Sequence, residues 1–115
     1  MKLSDYVWDF VCQLGVSDVF MFQGGGAMHL VDSLGRNEKL EYVTLLHEQA
    51  CTMAAETYSR IDYNMGVALV TTGPGGTNAV TGVSPAWLES TPILVISGQA
   101  KTQYLKYTYR IKQRG

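Results

Sequence analysis

The sequence predicts an α/β protein: a doubly wound, mostly parallel sheet with helices on both faces, in a flavodoxin-like three-layer arrangement. Segments with helical and strand-like patterns alternate four times along the chain. The strand-like segments include short continuous apolar runs, which are typical of strands buried on both faces of a parallel sheet. Glycine-rich loops follow two of these strands and precede helices. With 115 residues, the chain is long enough for one domain.

The first part of the chain is predicted to contain two helices on either side of a strand. Ser4 is the expected N-cap of the first helix, because its hydroxyl can accept from free amides of the first turn. Leu3 and Trp8 occupy the positions of a hydrophobic staple around it. Gly15 is expected to end the helix in a left-handed conformation. A strand at 19–22, the glycine loop 23–26 and a short helix at 28–34 follow.

The rest of the chain continues the alternation. We predict strands at 40–46, 66–71 and 92–97, and helices at 48–61 and 77–88. The segment 73–76 is predicted to be a turn, and Gly82 and Pro85 weaken the helix that follows it. The predicted buried face of the middle helix comprises Cys51, Ala54, Tyr58 and Ile61.

Three polar or glycine-rich segments come directly after predicted strands: 23–26, 47–48 and 71–78. In open α/β sheets ligands bind beyond the carboxyl ends of the strands, so these segments predict one site. Glu48 opens a helix, whose N-terminus favours a charged carboxyl, whereas burial favours a neutral one. A carboxyl held between these effects can share a proton with a ligand nitrogen. From position alone, an ordinary exposed glutamate remains the alternative, and a structural role is favoured for His47.

Composition and charge argue against several other classes of protein. Residues 1–100 contain four basic and ten acidic residues, whereas the basic, tyrosine-containing segment 101–115 contains five basic residues and no acid. A solvated segment is favoured there over a nucleic-acid-binding tail. No apolar run reaches the length of a membrane helix. Cys12 and Cys51 are expected to be free thiols in a cytoplasmic protein. We see neither metal-ligand spacing nor a hydrolase nucleophile motif.

Three segments taken together resemble the pyrimidine-binding domain of thiamine-diphosphate enzymes. Residues 46–50 are similar to the segment that contains the family's catalytic glutamate. Residues 67–78 are similar to its glycine-proline loop, and 93–99 to the strand that follows. The resemblance extends over nearly all of residues 1–100, which we interpret as this domain. Within the family, the similarity is greatest to acetolactate synthase-like proteins.

The resemblance implies both a cofactor and a role for individual residues. Glu48 would hydrogen-bond a ring nitrogen of the aminopyrimidine of thiamine diphosphate, favour its imino tautomer and so activate the cofactor. Phe22, Gly24, Pro74 and Asn78 would border the pyrimidine. The implied reaction is decarboxylation and carboligation of a 2-keto acid, with pyruvate the favoured substrate, by a transferase or lyase.

The resemblance also has departures and missing parts. Gln23 occurs where the family usually has proline, and Gly26 where a larger residue is common. The family holds the diphosphate and Mg²⁺ with an acidic motif of a second domain, which this sequence lacks. We therefore expect an incomplete sheet in an N-terminal fragment, or one chain of a split enzyme, that is inactive alone. FAD is possible but not supported by the sequence. The resemblance implies a homo-oligomer with the site at a subunit interface.

Two other functions remain open from the residues. The chain could be a stand-alone phosphate- or nucleotide-binding module that uses its glycine loops. It could also bind nucleic acid through segment 101–115, although we predict no nucleic-acid partner and no membrane association.

Overall fold

A computed structural model describes residues 1–106 of the chain. The basic residues and tyrosines beyond 106, which belong to the predicted basic segment, lie outside the described residues. The elements are α1 (Leu3–Gln13), β1 (Asp18–Met21), a 3₁₀ turn (Gly25–Ala27), α2 (Met28–Gly35), β2 (Glu41–Thr44), α3 (Glu48–Asp62), β3 (Gly66–Val70), α4 (Pro74–Leu88), β4 (Ile93–Ser97) and α5 (Thr102–Lys106).

The four strands form one parallel sheet in the order β2-β1-β3-β4. The chain therefore first winds outward from β1 to β2 and then returns to the other side of β1. The carboxyl edge between β1 and β3 is the topological switch point, where ligands bind in open α/β sheets. The predicted doubly wound α/β class is confirmed.

Helices cover both faces of the sheet and make it a three-layer structure. On one face, Trp8 of α1 and Leu34 of α2 pack in a cluster with Val19, Val67 and Leu69 from the strands. On the other face, α3 contributes Cys51 and Ala55 to a second cluster that includes Ala68 and the partly buried Phe20. All five residues of β3 are buried, because this strand lies inside the sheet and is covered on both faces.

Strand β2 is exposed, whereas the apolar residues in and around it suggest a buried strand. It is shorter than the predicted 40–46, and all four of its residues are exposed because it forms the edge of the sheet. Leu40, just before it, is the residue of this region that enters the core.

The predicted start of α1 is wrong. The helix begins at Leu3, and Ser4 lies inside its first turn, where its hydroxyl is buried 2.8 Å from Ser33 Oγ of α2. Leu3 is exposed and Trp8 is fully buried, so the two do not form a staple. The Trp8 indole instead donates to the Leu30 carbonyl at 2.8 Å. Gly15 has the expected left-handed conformation, with φ of 81°.

Two predictions about α3 and α4 also need correction. The buried face of α3 consists of Glu48, Cys51, Thr52, Ala55 and Ser59. Ile61, predicted to be buried, is 75% exposed. The predicted turn at 73–76 is the start of α4, which begins at Pro74 and continues through Gly82 and Pro85 to Leu88.

None of the helices within residues 1–106 combines the length and the hydropathy that crossing a lipid bilayer requires.

Candidate functional site

The three predicted segments meet at the carboxyl edge of the sheet, around Thr71. The amide of Gly26, after β1, donates to Thr71 Oγ1 at 3.1 Å. A Cβ placed on Gly24 would lie 2.5 Å from Thr71 Cβ, and one on Gly75 would lie 2.8 Å from Thr71 Cγ2. Only glycine permits these approaches without a shift of neighbouring atoms. The loops after β1 and β3 therefore form one packed unit at the switch point.

Glu48 is the first residue of α3 and is only 6% exposed. His47 precedes it as the N-cap, and its Nδ1 accepts from the Gln49 amide at 3.0 Å. This bond gives His47 a structural role, as the sequence favours, and fixes the direction in which α3 leaves the sheet edge. The positive end of the helix dipole lies beside the Glu48 carboxyl.

Asn78 and Gly75 of α4 lie against the Glu48 carboxyl. The Asn78 side-chain amide donates to Glu48 Oε2 at 3.1 Å. Glu48 Oε1 makes no hydrogen bond to residues 1–106, and a Cβ on Gly75 would lie 3.5 Å from it. The carboxyl thus has one satisfied oxygen and one oxygen available to a ligand. A carboxyl with one oxygen held and one oxygen free can share a proton with a ligand nitrogen.

A contact between α3 and α4 sets the position of Asn78. The Thr52 hydroxyl donates to the Ala79 carbonyl at 3.0 Å, across the interface between the helices. A Cβ on Gly82 would overlap Thr52 Oγ1 and would lie 2.7 Å from the Met53 amide nitrogen. The two helices therefore touch closely within about one turn of the pair formed by Glu48 and Asn78.

The other predicted site residues lie nearby in different surroundings. Gly24 lies against Thr71, as described above. Pro74 is exposed at the first position of α4, next to Gly75. The Phe22 side chain is half-buried and packs with the cluster that includes Cys51, and its amide donates to the Leu69 carbonyl at 3.1 Å. Of the predicted residues, only Asn78 hydrogen-bonds Glu48.

The start of α4 is poorly suited to holding a phosphate. Gly73 adopts a φ of 61° before the helix, and Pro74 has no N–H. The Gly75 amide donates to the Thr72 carbonyl, and the Thr77 amide donates to the Gly73 carbonyl. Little therefore remains of the group of free amides with which a helix start binds phosphate.

A cleft opens at the same edge beside α5. Its walls include Gly26, Thr71, Thr72, Gln99 and Lys101. The Thr72 hydroxyl donates to Gln99 Oε1 at 3.1 Å and links the end of β3 to the segment after β4. The cleft combines hydroxyls and one cation next to the glycine loop after β1.

Cys51 lies one turn after Glu48 and is fully buried. Burial, and after it the charge of Glu48, raise the pKa of its thiol to about 11. Cys51 is therefore a neutral thiol at physiological pH. No group of three or more His, Cys, Asp or Glu side chains in the described part of the chain could hold a metal ion.

Sequence reasoning missed Thr52 and the contact that it makes with Gly82. Gly82 was expected to weaken α4, whereas its lack of a side chain allows α4 to approach α3. A glycine inside an otherwise regular helix was the available signal, since it often marks close packing. Thr71 and Gly75 lie within a predicted site segment, but nothing in the sequence distinguishes them from their neighbours.

Comparison with known proteins agrees with this arrangement. Residues 1–114 match the family model described as thiamine pyrophosphate enzyme, N-terminal TPP binding domain. The chain belongs to this family.

Its relatives include acetolactate synthases from bacteria and plants. The chain is 41% identical over 96 residues to the acetolactate synthase large subunit of Lactococcus lactis, an alignment that covers 84% of this chain and 17% of that protein. It is 40% identical over 93 residues to the isozyme 3 large subunit of Escherichia coli, covering 81% and 16% respectively. It is 41% identical over 98 residues to the chloroplastic acetolactate synthase 2 of Nicotiana tabacum, an alignment that covers 85% of this chain and 15% of that protein. The chain thus spans about a sixth of the length of these relatives.

Proposed function

We propose that the chain is the pyrimidine-binding part of a thiamine-diphosphate-dependent enzyme that decarboxylates and ligates 2-keto acids, with Glu48 as its catalytic residue. The observation that supports this most directly is the buried Glu48 carboxyl, whose Oε1 has no partner within residues 1–106. Oε1 therefore remains free to exchange a hydrogen bond or a proton, and a ring nitrogen that shares a proton with it would satisfy it.

In this proposal each residue of the site has a defined task. Glu48 Oε1 holds or releases a proton at the pyrimidine ring nitrogen. Phe22, Gly24 and Pro74 would border the ring, and the packing of Phe22 on the cluster that includes Cys51 supports its part in this wall. When bound, thiamine diphosphate supplies the electron sink for decarboxylation.

The substrate and the remaining cofactor groups belong to the same proposal. The named relatives are acetolactate synthases, which supports a 2-keto acid such as pyruvate as substrate. Another part of the assembled enzyme would hold the diphosphate and Mg²⁺, so that the 115-residue chain alone would not turn over substrate. No residue described above provides a flavin site.

We further propose that two copies assemble with the site between them. The outer surface of α4 supports this, because Val80, Trp87 and Leu88 are 58%, 83% and 77% exposed. Large apolar side chains grouped on one helix are typical of an interface between proteins. Sedimentation equilibrium of the complete natural protein should give a dimer or a multiple of it, and a monomer at working concentration would contradict this assembly.

The test of the catalytic role is Glu48→Gln in the complete natural protein. The amide cannot transfer a proton as a carboxyl does, so 2-keto-acid decarboxylation should fall by roughly 10²–10⁴-fold. Affinity should be measured by calorimetry for thiamine diphosphate and for an analogue with carbon in place of the pyrimidine ring nitrogen. The unmodified protein should prefer the natural cofactor, and Glu48→Gln should lose that preference.

Glu89→Gln is the matched control, since Glu89 is exposed after the end of α4. This variant should keep both the rate and the preference. An unchanged rate in Glu48→Gln, or an unmodified protein that binds both compounds equally, would refute the proposed function.

A further inference from the structure

The two oxygens of the Glu48 carboxyl have different surroundings. Oε2 accepts from the Asn78 side-chain amide at 3.1 Å. Oε1 faces Gly75, where even an added Cβ would remain 3.5 Å away. The residue as a whole is 6% exposed, so little of its side chain is open to solvent. The protein therefore distinguishes two oxygens that are chemically equivalent in a free carboxylate.

We propose that Asn78 is the positioning residue of Glu48: its amide fixes Oε2 and leaves Oε1 as the only oxygen that exchanges a proton with a ligand. This inference rests on the proposed function, and it assigns Asn78 a task other than bordering the pyrimidine. Asn78 acts through Glu48.

The chemistry of the amide supports this role. The Asn78 nitrogen donates and does not accept, so a proton on Oε2 would require the Asn78 side chain to turn and present its oxygen instead. A donor to a charged oxygen also holds the carboxyl plane in one orientation. Without this donor, the flexible glutamate side chain would sample several orientations, and a ligand would have to order it at a cost in entropy. Proton exchange is thereby directed to Oε1, the oxygen that faces Gly75.

The backbone around Asn78 is held as this role requires. Asn78 directly precedes Ala79, whose carbonyl accepts from the buried Thr52 hydroxyl at 3.0 Å. Thr52 lies one turn after Glu48 on α3, so the same turn of each helix provides both contacts. The absence of a side chain at Gly82 keeps the helices at this distance. The position of Asn78 relative to Glu48 is therefore fixed independently of their own hydrogen bond.

The experiment compares Asn78→Asp and Asn78→Ala with Glu48→Gln and with the double variant Glu48→Gln/Asn78→Ala, in the complete natural protein. Asn78→Asp keeps the size of the side chain but replaces the donor with an acceptor, which makes it the informative substitution if Asn78→Ala unfolds. Two quantities are measured: kcat and KM for the 2-keto acid, and the ratio of affinities for thiamine diphosphate and the analogue without the ring nitrogen.

Both single Asn78 variants should lower kcat by about 10- to 100-fold with little change in KM, because a hydrogen bond to a charged group is lost. Both should also reduce the affinity ratio, whereas a purely structural role would weaken the binding of both compounds equally. The double variant should be no slower than Glu48→Gln alone, because Asn78 acts through Glu48.

Two results would overturn the inference. One is an Asn78→Asp variant with the rate and affinity ratio of the unmodified protein. The other is a double variant in which the two losses multiply, since Asn78 would then contact the ligand itself. Either result leaves the proposed function intact if Glu48→Gln loses the affinity ratio. If the unmodified protein shows no preference for the ring nitrogen, the proposed function fails, and this inference fails with it.

Discussion

The contact between α3 and α4 at Gly82 gives a quantitative prediction for Gly82→Ala. Helix propensity alone predicts that alanine stabilises the interior of a helix by about 1 kcal/mol relative to glycine. The structure predicts the opposite sign. The new Cβ would overlap the Thr52 hydroxyl and would lie 2.7 Å from the Met53 amide nitrogen, which belongs to the backbone and cannot rotate away.

The size of the effect follows from two costs and one gain. Overpacking of a close helix contact costs about 1–3 kcal/mol. If the helices separate, the Thr52 hydroxyl loses its bond to the Ala79 carbonyl but keeps the carbonyls of Glu48 and Gln49 within reach, so the loss costs about 0.5–1.5 kcal/mol. The helix propensity of alanine offsets about 1 kcal/mol. These terms overlap, so we expect the free energy of unfolding to fall by about 2 kcal/mol.

Urea unfolding of the 115-residue chain, followed by tryptophan fluorescence, measures this loss. Trp8 is fully buried and reports on the core. A loss of about 2 kcal/mol should lower the midpoint by roughly 1 M. Gly35→Ala is the control, since α2 ends at Gly35 and nothing lies within 4 Å of an added Cβ there. If Gly82→Ala is as stable as Gly35→Ala, the assigned contact does not limit the approach of the helices.

Two further predictions concern the site loop and the opposite end of the sheet. Gly24→Ala should weaken thiamine diphosphate binding in the complete protein, because the new Cβ would lie 2.5 Å from Thr71 Cβ. Gly25→Ala is the control and should bind the cofactor normally, because nothing lies within 4 Å of a Cβ at that position. Equal affinities of the two variants by calorimetry would contradict this prediction. Hydrogen bonds to Asp18 from its neighbouring serine and then from Tyr58 lower the pKa of its carboxyl. Because this pKa is lowered in the folded state, the stabilisation is present above the ordinary carboxyl pKa of about 4 and is lost as the pH falls through the lowered value. Tyr58→Phe should therefore be less stable than the parent chain at neutral pH, and the urea midpoints of the two should converge as the pH falls through the lowered pKa of Asp18. A difference that stays constant with pH would argue against the assigned bond.

The fold was predictable from sequence where burial and periodicity agree. The β3 segment is apolar throughout, lies inside the sheet and was placed to within one residue. The prediction failed at one edge of the sheet, at β2, although β4 at the other edge was placed to within one residue. Strand β2 has apolar neighbours but exposed side chains, because the register of a sheet and the identity of its edge strand depend on residues far away in sequence. Ser4 has the residue type of an N-cap, but its hydroxyl bonds Ser33 of the next helix.

The site was predictable in location but not in its internal contacts. Ordering of the strands brings 23–26, 48 and 71–78 to one edge, and this follows from the alternation of elements alone. The bond between Asn78 and Glu48 joins residues thirty positions apart and depends on the distance between two helices. That distance depends in turn on Thr52 and Gly82. It cannot be predicted from the local sequence, because helix propensity indicates only that Gly82 weakens the helix.

The two departures from the family pattern affect one wall of the site only. Gln23 is exposed, so its side chain does not disturb the packing around Thr71. A Cβ on Gly26 would lie 2.8 Å from Thr72 Cγ2, so a larger residue at this position would require Thr72 to move. In this chain the missing side chain of Gly26 therefore leaves room for the methyl group of Thr72. Both departures lie in the loop after β1. Glu48 belongs to α3, and its carboxyl contacts Asn78 and Gly75 of α4. The proposed proton exchange at Oε1 therefore does not depend on either departure.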